Sequence, residues 1–174
     1  MRYWSENKIN IIFIRHGATL GNEKLKYIGS TDEELSEKGI NQIRDLNKNN
    51  ILNDCDLIFS SPMKRCIQSA EILFTNKNLK IINQWKEIDF GDFENKNYIE
   101  LSDNALYKKW IESNGKMPFP NGESRENFIK RCFDGMDYVI EKYLIDYNIK
   151  KIACVVHGGT IMALLSKDNI NKYY

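Results

Sequence analysis

The stretch INIIFIRHG, residues 9–17, passes directly from a short apolar run to charged residues and a glycine. Its first six residues are rich in β-branched side chains and too few for a buried helix. They predict a strand that is buried on both faces, as strands of parallel sheets are. Arg15, His16 and Gly17 follow at once. Because open α/β sheets bind ligands beyond the carboxyl ends of their strands, these three residues are the first candidates for a site.

The remainder of the chain alternates apolar runs with segments of helical periodicity. The predicted strands are residues 9–14, 57–59, 80–82 and 151–156. The predicted helices are residues 36–50, 63–74, 124–147 and a last one ending near residue 166. Ser61 is predicted to cap the second helix, with Pro62 at its first position. Residues 85–95 lack periodicity and predict an ordered loop. This alternation indicates an α/β domain with a mostly parallel sheet.

Composition excludes several classes of protein. A chain of 174 residues with 42% hydrophobic and 28% charged residues is typical of one globular domain, predicted here as 1–174, and is not typical of a disordered protein. The 25 Lys and Arg residues against 24 Asp and Glu residues leave a net charge of +1, so no overall field attracts nucleic acid or a membrane. Four dispersed cysteines, without a leader or membrane span, predict a cytoplasmic protein with reduced thiols and no structural zinc.

The chain contains only two histidines, and both occupy the same kind of position. His16 and His157 each follow a predicted strand and precede a glycine, and Arg65 lies shortly after another strand. A lone histidine in such a place is more often structural, but two histidines and two arginines at one sheet edge indicate a phosphate pocket. Metal binding by the two histidines is the weaker alternative, because the neighbouring Arg15 would repel a cation.

This set of residues suggests phosphoryl transfer. An imidazole can attack phosphorus in line, while guanidinium groups hold the oxygens that carry charge in the transition state. The leaving alkoxide then needs a proton from a carboxylic acid. The residues alone leave four candidates open, which are Glu87, Asp89, Asp92 and Glu94.

An ordered set of motifs resembles the histidine phosphatase superfamily, also called phosphoglycerate mutase-like, over nearly the whole chain. The matching segments are IIFIRHGAT at 11–19, YIGSTDEELSEKG at 27–39, IFSSPMKRCIQSAEIL at 58–73, EIDFGDFENK at 87–96, FPNGES at 119–124 and VVHGGTIMALL at 155–165. The resemblance implies a three-layer α/β/α fold around a central, mostly parallel sheet. It is greatest to the phosphatase branch that contains α-ribazole phosphatase.

The resemblance also implies roles for particular residues. His16 would be the nucleophile that becomes phosphohistidine. Arg15, Arg65 and His157 would bind and stabilise the phosphoryl group, and Glu87 would be the general acid.

Two further substrate contacts follow from the same resemblance, from the Asn22 side chain and the Gly158 backbone N–H. No metal or organic cofactor is implied. Asp89 and Glu94 are interpreted as carboxylates that cap loops and helices.

The chain departs from the family pattern at several points. Ile28 stands where related phosphatases often have Gln before a glycine, which affects a substrate contact. Asn95 and Asn121 replace glycines in loops. Only 17 residues follow His157, where many relatives continue through a further edge segment, so the chain is either a naturally trimmed member or an incomplete one.

The resulting hypothesis is a metal-independent phosphomonoesterase, acting as a monomer or homodimer on a small phosphorylated metabolite such as α-ribazole 5′-phosphate. The alternatives are a phosphoglycerate mutase, which would need more chain to exclude water, a protein-phosphohistidine phosphatase and a catalytically silent phosphate-binding module. Residues 94–122 are predicted as a cap insertion. Its aromatic and apolar members either cover a flat substrate group or pack against the sheet; they are Tyr98, Leu101, Tyr107 and Trp110.

Overall fold

The computed structural model describes residues 8–46, 48, 52, 54–75, 78–144 and 148–166. Strands and helices alternate along most of the chain, as the apolar pattern predicts. The elements are β1 (Asn10–Arg15), α1 (Leu20–Glu23), α2 (Glu37–Leu46), β2 (Leu57–Ser60), α3 (Lys64–Leu73), β3 (Leu79–Ile81), two 3₁₀ turns (Asn83–Trp85 and Gly91–Phe93), α4 (Ala105–Glu112), α5 (Arg125–Tyr143), β4 (Lys151–Val156) and α6 (Gly158–Leu165).

The four strands form one sheet in the order β1-β4-β2-β3, and every pairing within it is parallel. The predicted α/β class with a mostly parallel sheet is therefore confirmed. β4 lies inside the sheet and is paired on both sides. Arg15 is in register with Val156, and Ser60 with Val155, so the carboxyl ends of β1, β4 and β2 meet at one edge.

Alternate residues of β4 enter two different apolar clusters, one on each face of the sheet. Ala153 and Val155 pack with side chains of α2 and α3. Ile152, Cys154 and Val156 pack with Phe59, Trp85 and Val139, the last of which belongs to α5. Helices thus cover both faces of the sheet, which confirms the three-layer α/β/α architecture.

β1 differs from the predicted strand because of its place in the sheet. It was expected to be buried on both faces, but it lies at an edge, and Ile11 is 39% exposed. Only Ile14 of this strand is fully buried. The internal strand β4 has the burial that the pattern predicts, since all of its residues after Lys151 are buried.

The predicted helices are confirmed with shorter bounds, and two short ones were not predicted. The predicted helices 36–50 and 124–147 correspond to α2 and α5, while residues 47, 49, 50 and 145–147 lie outside the described part of the chain. α4 was not predicted; Asn104 caps it by accepting hydrogen bonds from the N–H groups of Leu106 and Tyr107, each at 2.9 Å. No helix in the described ranges is long and apolar enough to cross a membrane.

The segment 94–122 packs extensively against the domain. Leu101 and Tyr107 are buried in a cluster that also contains Phe93, Phe119 and residues of α5 and α6. The Trp110 ring stacks on Phe119 at a centroid distance of 4.9 Å. Tyr98, by contrast, is 56% exposed. The segment is therefore anchored through its aromatic side chains, and its action as a cap over a substrate stays a prediction.

Candidate active site

The ends of β1 and β2 are fastened to β4 where the sheet meets the candidate residues. The backbone N–H of His16 donates to the carbonyl of Val156 at 3.0 Å, and that of Ser61 donates to Val155 at 3.0 Å. His157 is the next residue after β4. The sheet therefore delivers side chains from three strand ends to one place, as the sequence predicts.

The two histidine rings lie against each other at a centroid distance of 5.1 Å in an edge-to-face arrangement. His16 Nδ1 lies 2.7 Å from the carbonyl oxygen of Gly17. A carbonyl only accepts hydrogen bonds, so Nδ1 carries the proton and the Nε2 lone pair is available. Burial, opposed in part by this hydrogen bond, lowers the pKa of His16 to about 4. His16 is therefore a neutral imidazole at neutral pH.

His157 is fully buried beside His16. Its Nε2 lies 2.7 Å from Ser61 Oγ, and Cys66 Sγ lies within 3.6 Å of the same nitrogen. Burial and the neighbouring charge of Arg65 lower the pKa of His157 well below its ordinary value. The predicted cap role of Ser61 is wrong, because α3 starts after Met63 without a side-chain cap. The Ser61 hydroxyl lies against His157 and accepts the Met63 N–H at 3.4 Å.

Arg65, the second residue of α3, is fully buried. Its Nη1 donates to the carbonyl of Thr31 at 2.8 Å and its Nη2 to that of Gly29 at 2.9 Å, while its Nε lacks a hydrogen-bond partner. Its hydrogen-bond acceptors among the described residues are all uncharged. A buried cation without a hydrogen-bonded anion is costly, so this guanidinium favours an anionic ligand.

Glu94 organises the loop that holds Arg65. Its carboxylate accepts hydrogen bonds from the backbone N–H groups of Gly29 and Ser30 at 3.0 and 2.9 Å, and from the hydroxyl of Thr31 at 2.7 Å. It also accepts one from the N–H of Phe90 at 3.1 Å. The interpretation of Glu94 as a capping carboxylate is confirmed, although it caps a loop and not a helix.

Asp89 acts locally in the same region. Its Oδ1 accepts the N–H of Gly91 at 2.9 Å and the hydroxyl of Ser30 at 3.3 Å. This confirms that Asp89 caps a loop.

Glu87 turns its carboxyl group toward the start of α6. Oε1 accepts the N–H of Ile88 at 3.0 Å, and Oε2 accepts the N–H of Gly159 at 3.4 Å. Burial is the largest influence and raises the pKa of Glu87, while these two bonds and the charge of Arg65 oppose it. A Cβ at position 159 would collide with Glu87 Oε1, so a larger residue there would displace the Glu87 carboxyl group.

A cleft of about 240 Å³ lies in front of His16. Its lining also includes Arg15 and Asn22. The Oδ1 of Asn22 accepts the N–H of Thr19 at 3.2 Å, which directs the amide nitrogen of Asn22 away from that cap. Arg15 is exposed and lies against Gly158, where a Cβ would be 3.6 Å from Arg15 Nε. Gly158 begins α6, where backbone N–H groups lack partners within the helix and favour anions.

The structure therefore brings all of the predicted site residues to one edge of the sheet. They are Arg15, His16, Asn22, Arg65, Glu87, His157 and Gly158. In the part of the chain that the structure describes, no three His, Cys, Asp or Glu side chains are grouped so that they could hold a metal ion. Neutral imidazoles, two guanidinium groups and a carboxyl group with a raised pKa form a site suited to an oxyanion.

A model of the histidine phosphatase superfamily (branch 1) matches residues 11–168. The chain belongs to this superfamily. The resemblance stated from the motifs is thus confirmed, and so is the predicted enzyme class, a phosphatase of the histidine phosphatase type.

Individual phosphatases are similar to the chain over most of its length. The uncharacterized phosphatase PhoE of Bacillus subtilis is 31% identical over 159 residues, which cover 90% of this chain and 76% of the relative. The phosphoserine phosphatase of Entamoeba histolytica, solved with 3-phosphoglyceric acid, has a TM-score of 0.73 and 31% identity, covering 89% and 77% of the two chains. The α-ribazole phosphatase of Shigella flexneri has a TM-score of 0.77 and 25% identity, covering 90% and 78%.

Sequence reasoning missed Gln42, which lines the cleft of this histidine phosphatase. Gln42 lies on α2, and its Oε1 accepts the N–H of Ala18 at 3.0 Å. Gly39 was the available signal. A Cβ at this position would collide with the backbone of Ala18, so α2 approaches the loop after β1 closely, and Gln42 lies on the same helix face, three residues later.

Proposed function

We propose that this histidine phosphatase hydrolyses phosphate monoesters of small metabolites through a phosphohistidine at His16. The observation that carries the proposal is the hydrogen bond from His16 Nδ1 to the Gly17 carbonyl, which leaves the Nε2 lone pair available on a neutral ring. Arg15, Arg65 and His157 surround that ring with positive charge and hydrogen-bond donors.

In the first half-reaction, His16 Nε2 attacks phosphorus and the bond from phosphorus to the ester oxygen breaks. Arg15 and Arg65 bind the phosphoryl oxygens, whose charge is spread in the transition state. The protonated Glu87 gives its proton to the leaving oxygen, so the product departs as an alcohol. The raised pKa of Glu87 supports this role because it keeps the acid form present at higher pH.

In the second half-reaction, water attacks the phosphorus of phosphohistidine. The ionised Glu87 takes a proton from that water, the bond from nitrogen to phosphorus breaks, and inorganic phosphate leaves. His16 and Glu87 return to their starting states. The guanidinium groups supply the positive charge throughout, so no step calls for a metal or an organic cofactor.

Two phosphorylated compounds are the first to test as substrates. α-Ribazole 5′-phosphate is supported by the motifs and by the likeness to the Shigella flexneri enzyme. Phosphoserine is supported by the likeness to the Entamoeba histolytica enzyme at 31% identity. A panel of phosphate monoesters that includes both compounds, assayed in EDTA by release of inorganic phosphate, ranks them by kcat/KM.

The deciding experiment compares the wild type with His16→Ala. We expect the wild type to release phosphate from a chromogenic monoester in EDTA and to carry acid-labile, base-stable phosphate after rapid quenching. The variant should lose both properties, because both ring nitrogens of His157, the remaining histidine, already lie against Ser61 and Cys66. Equal turnover by the two proteins would contradict His16 as nucleophile.

The same preparation separates the alternatives. Phosphate transfer to 3-phosphoglycerate in the presence of a bisphosphoglycerate primer would indicate a mutase. Release of phosphate from phosphohistidine in a protein but not from small esters would indicate a protein-phosphohistidine phosphatase. Phosphate binding without turnover of any compound would indicate a silent module.

A further inference from the structure

Arg131 on α5 meets the segment that carries Glu87. Its Nη2 donates to the carbonyl of Glu87 at 3.0 Å, and its Nη1 donates to the carbonyls of Lys86 and Gln84, both at 2.8 Å. One guanidinium thus fixes three of four consecutive peptide carbonyls. Sequence reasoning did not select this residue, since an arginine on the polar side of a helix resembles any surface arginine.

Glu123 holds the other side of the same guanidinium. Arg131 Nε donates to Glu123 Oε1 at 2.7 Å and Nη2 donates to Oε2 at 2.8 Å, a two-point ion pair with both side chains largely covered, at 26% and 16% exposure. All five N–H donors of Arg131 are therefore used. The backbone N–H of Glu123 also donates to the carbonyl of Asp89 at 2.9 Å. The ion pair therefore makes hydrogen bonds to the backbone on both sides of Glu87.

The carboxyl group of Glu87 is held much less firmly than its backbone. One of its hydrogen bonds is to the adjacent residue, Ile88, and the other, to Gly159, is long at 3.4 Å. The direction of the side chain consequently depends on where the peptide of Glu87 is placed. Arg131 is the charged group that places it, through the carbonyl of Glu87 itself.

We propose that Arg131, braced by Glu123, is a positioning residue that aims the Glu87 carboxyl group at the leaving-group oxygen. The inference rests on the proposed function, in which Glu87 protonates that oxygen. Proton transfer requires a heavy-atom separation near hydrogen-bond distance, and a displacement of about 1 Å at a reacting group can cost about 100-fold in rate. Arg131 itself touches neither phosphate nor leaving group.

Leaving-group dependence distinguishes this role from a structural one. An alkyl phosphate needs the proton of Glu87, because an alkoxide is a poor leaving group. 2,4-Dinitrophenyl phosphate does not need it, because its phenolate departs unaided. A misplaced acid therefore slows the first substrate alone, whereas general damage to the site slows both.

The experiment measures kcat/KM of Arg131→Lys and Glu123→Gln for an alkyl phosphate and for 2,4-dinitrophenyl phosphate. We expect a loss of about 10- to 100-fold on the alkyl phosphate and a change within about 3-fold on the dinitrophenyl ester. Arg125→Lys is the matched control, since Arg125 is an exposed residue on the same helix. We expect Arg125→Lys to have the wild-type kcat/KM for both substrates. Equal losses on the two substrates, or no loss on the alkyl phosphate, would overturn the proposal.

Thermal unfolding of each variant shows whether it folds. If Arg131→Lys does not fold, Glu123→Gln decides, because glutamine preserves the shape of Glu123 while it removes the charge and one of the two acceptor oxygens that Arg131 uses. If the proposed function is wrong, the results differ: the wild type hydrolyses neither ester, or His16→Ala hydrolyses both. Wild-type turnover with unselective losses in the variants contradicts the Arg131 inference alone.

Discussion

Glu87 and His16 set the two limits of the pH range in which the proposed first step can proceed. His16 attacks as a neutral ring, and its pKa of about 4 keeps it neutral well into acid. Glu87 acts as an acid, and burial raises its pKa above the ordinary 4.5 of a carboxyl group. The rate of the first step should therefore fall below about pH 4 and also above the raised pKa of Glu87.

For Glu87→Gln we expect a loss of about 100- to 10,000-fold in kcat/KM for an alkyl phosphate, together with disappearance of the alkaline decline that Glu87 causes. Glutamine keeps the shape of the side chain and cannot release a proton. Ionisation of the substrate appears in both proteins, so the difference between the two pH profiles belongs to residue 87. A wild-type alkaline decline that persists unchanged in the variant would exclude Glu87 as the acid.

Individual residues were predictable from the sequence where the chemistry is local. His16, Arg65 and His157 could be selected because each lies at or just after a strand end, and the sheet then brings those ends together. Arg131 could not be selected, because its contacts join a helix to a loop distant in the sequence. Such contacts depend on how layers pack, which periodicity does not encode.

At the scale of elements, the segment 87–94 has a glutamate at each of its ends, and each contacts a different part of the chain. Glu87 faces α6, while Glu94 fixes the loop at residues 29–31 whose carbonyls hold Arg65. A change at Glu94 should therefore reach the phosphate site through this loop, although none of the hydrogen bonds described for Glu94 is to a predicted site residue.

Glu94→Gln should cost about 2–3 kcal/mol of unfolding free energy and weaken inhibition by inorganic phosphate. The amide has a single acceptor oxygen, and its NH₂ group would face backbone donors that now point at a carboxylate. Urea unfolding measures the first effect and the Ki of phosphate the second. Glu100→Gln is the control, because exposed Glu100 accepts only the N–H of Asn97 among the described contacts. Unchanged phosphate inhibition would show that Arg65 does not depend on Glu94.

Helices and strands with many buried apolar residues were easier to predict than those with few. β4 was located with its bounds because every residue after Lys151 is buried and apolar, whereas the burial of β1 was overestimated, since the sequence does not reveal which strand lies at an edge. α4 was missed because it is short and its apolar residues Leu106 and Ile111 are about half exposed, which breaks the usual pattern of one apolar face.

At the scale of the whole molecule, the site lowers stability in acid. Between pH 6.5 and about 4 the unfolded chain binds a proton at His16 that the folded protein does not, so the free energy of unfolding falls as the pH drops through this range. His157 acts in the same direction because its pKa is also lowered. Glu87 acts in the opposite direction, because the folded state holds a proton there that the unfolded chain releases.

For His16→Asn we expect the decrease in unfolding free energy between about pH 7.5 and about pH 5 to be smaller than in the wild type by about 2 kcal/mol. Asparagine does not titrate, so the contribution of His16 is removed while those of His157 and Glu87 remain. Urea unfolding at the two pH values gives the four free energies required. Identical pH dependence in both proteins would contradict a buried, neutral His16.

Among the residues that the structure describes, Arg65 has only carbonyl groups as hydrogen-bond acceptors, so the anions of the surrounding medium affect the stability of the protein. On the proposed function, phosphate, sulfate and vanadate bind the folded chain and not the unfolded one, so by mass action an anion at 100 times its Kd adds about 2.7 kcal/mol to stability. Melting temperatures in phosphate and in a zwitterionic buffer then describe two different species. The His16→Asn variant would bind candidate substrates without hydrolysing them. In a zwitterionic buffer, an increase in its melting temperature would therefore identify compounds that bind the site.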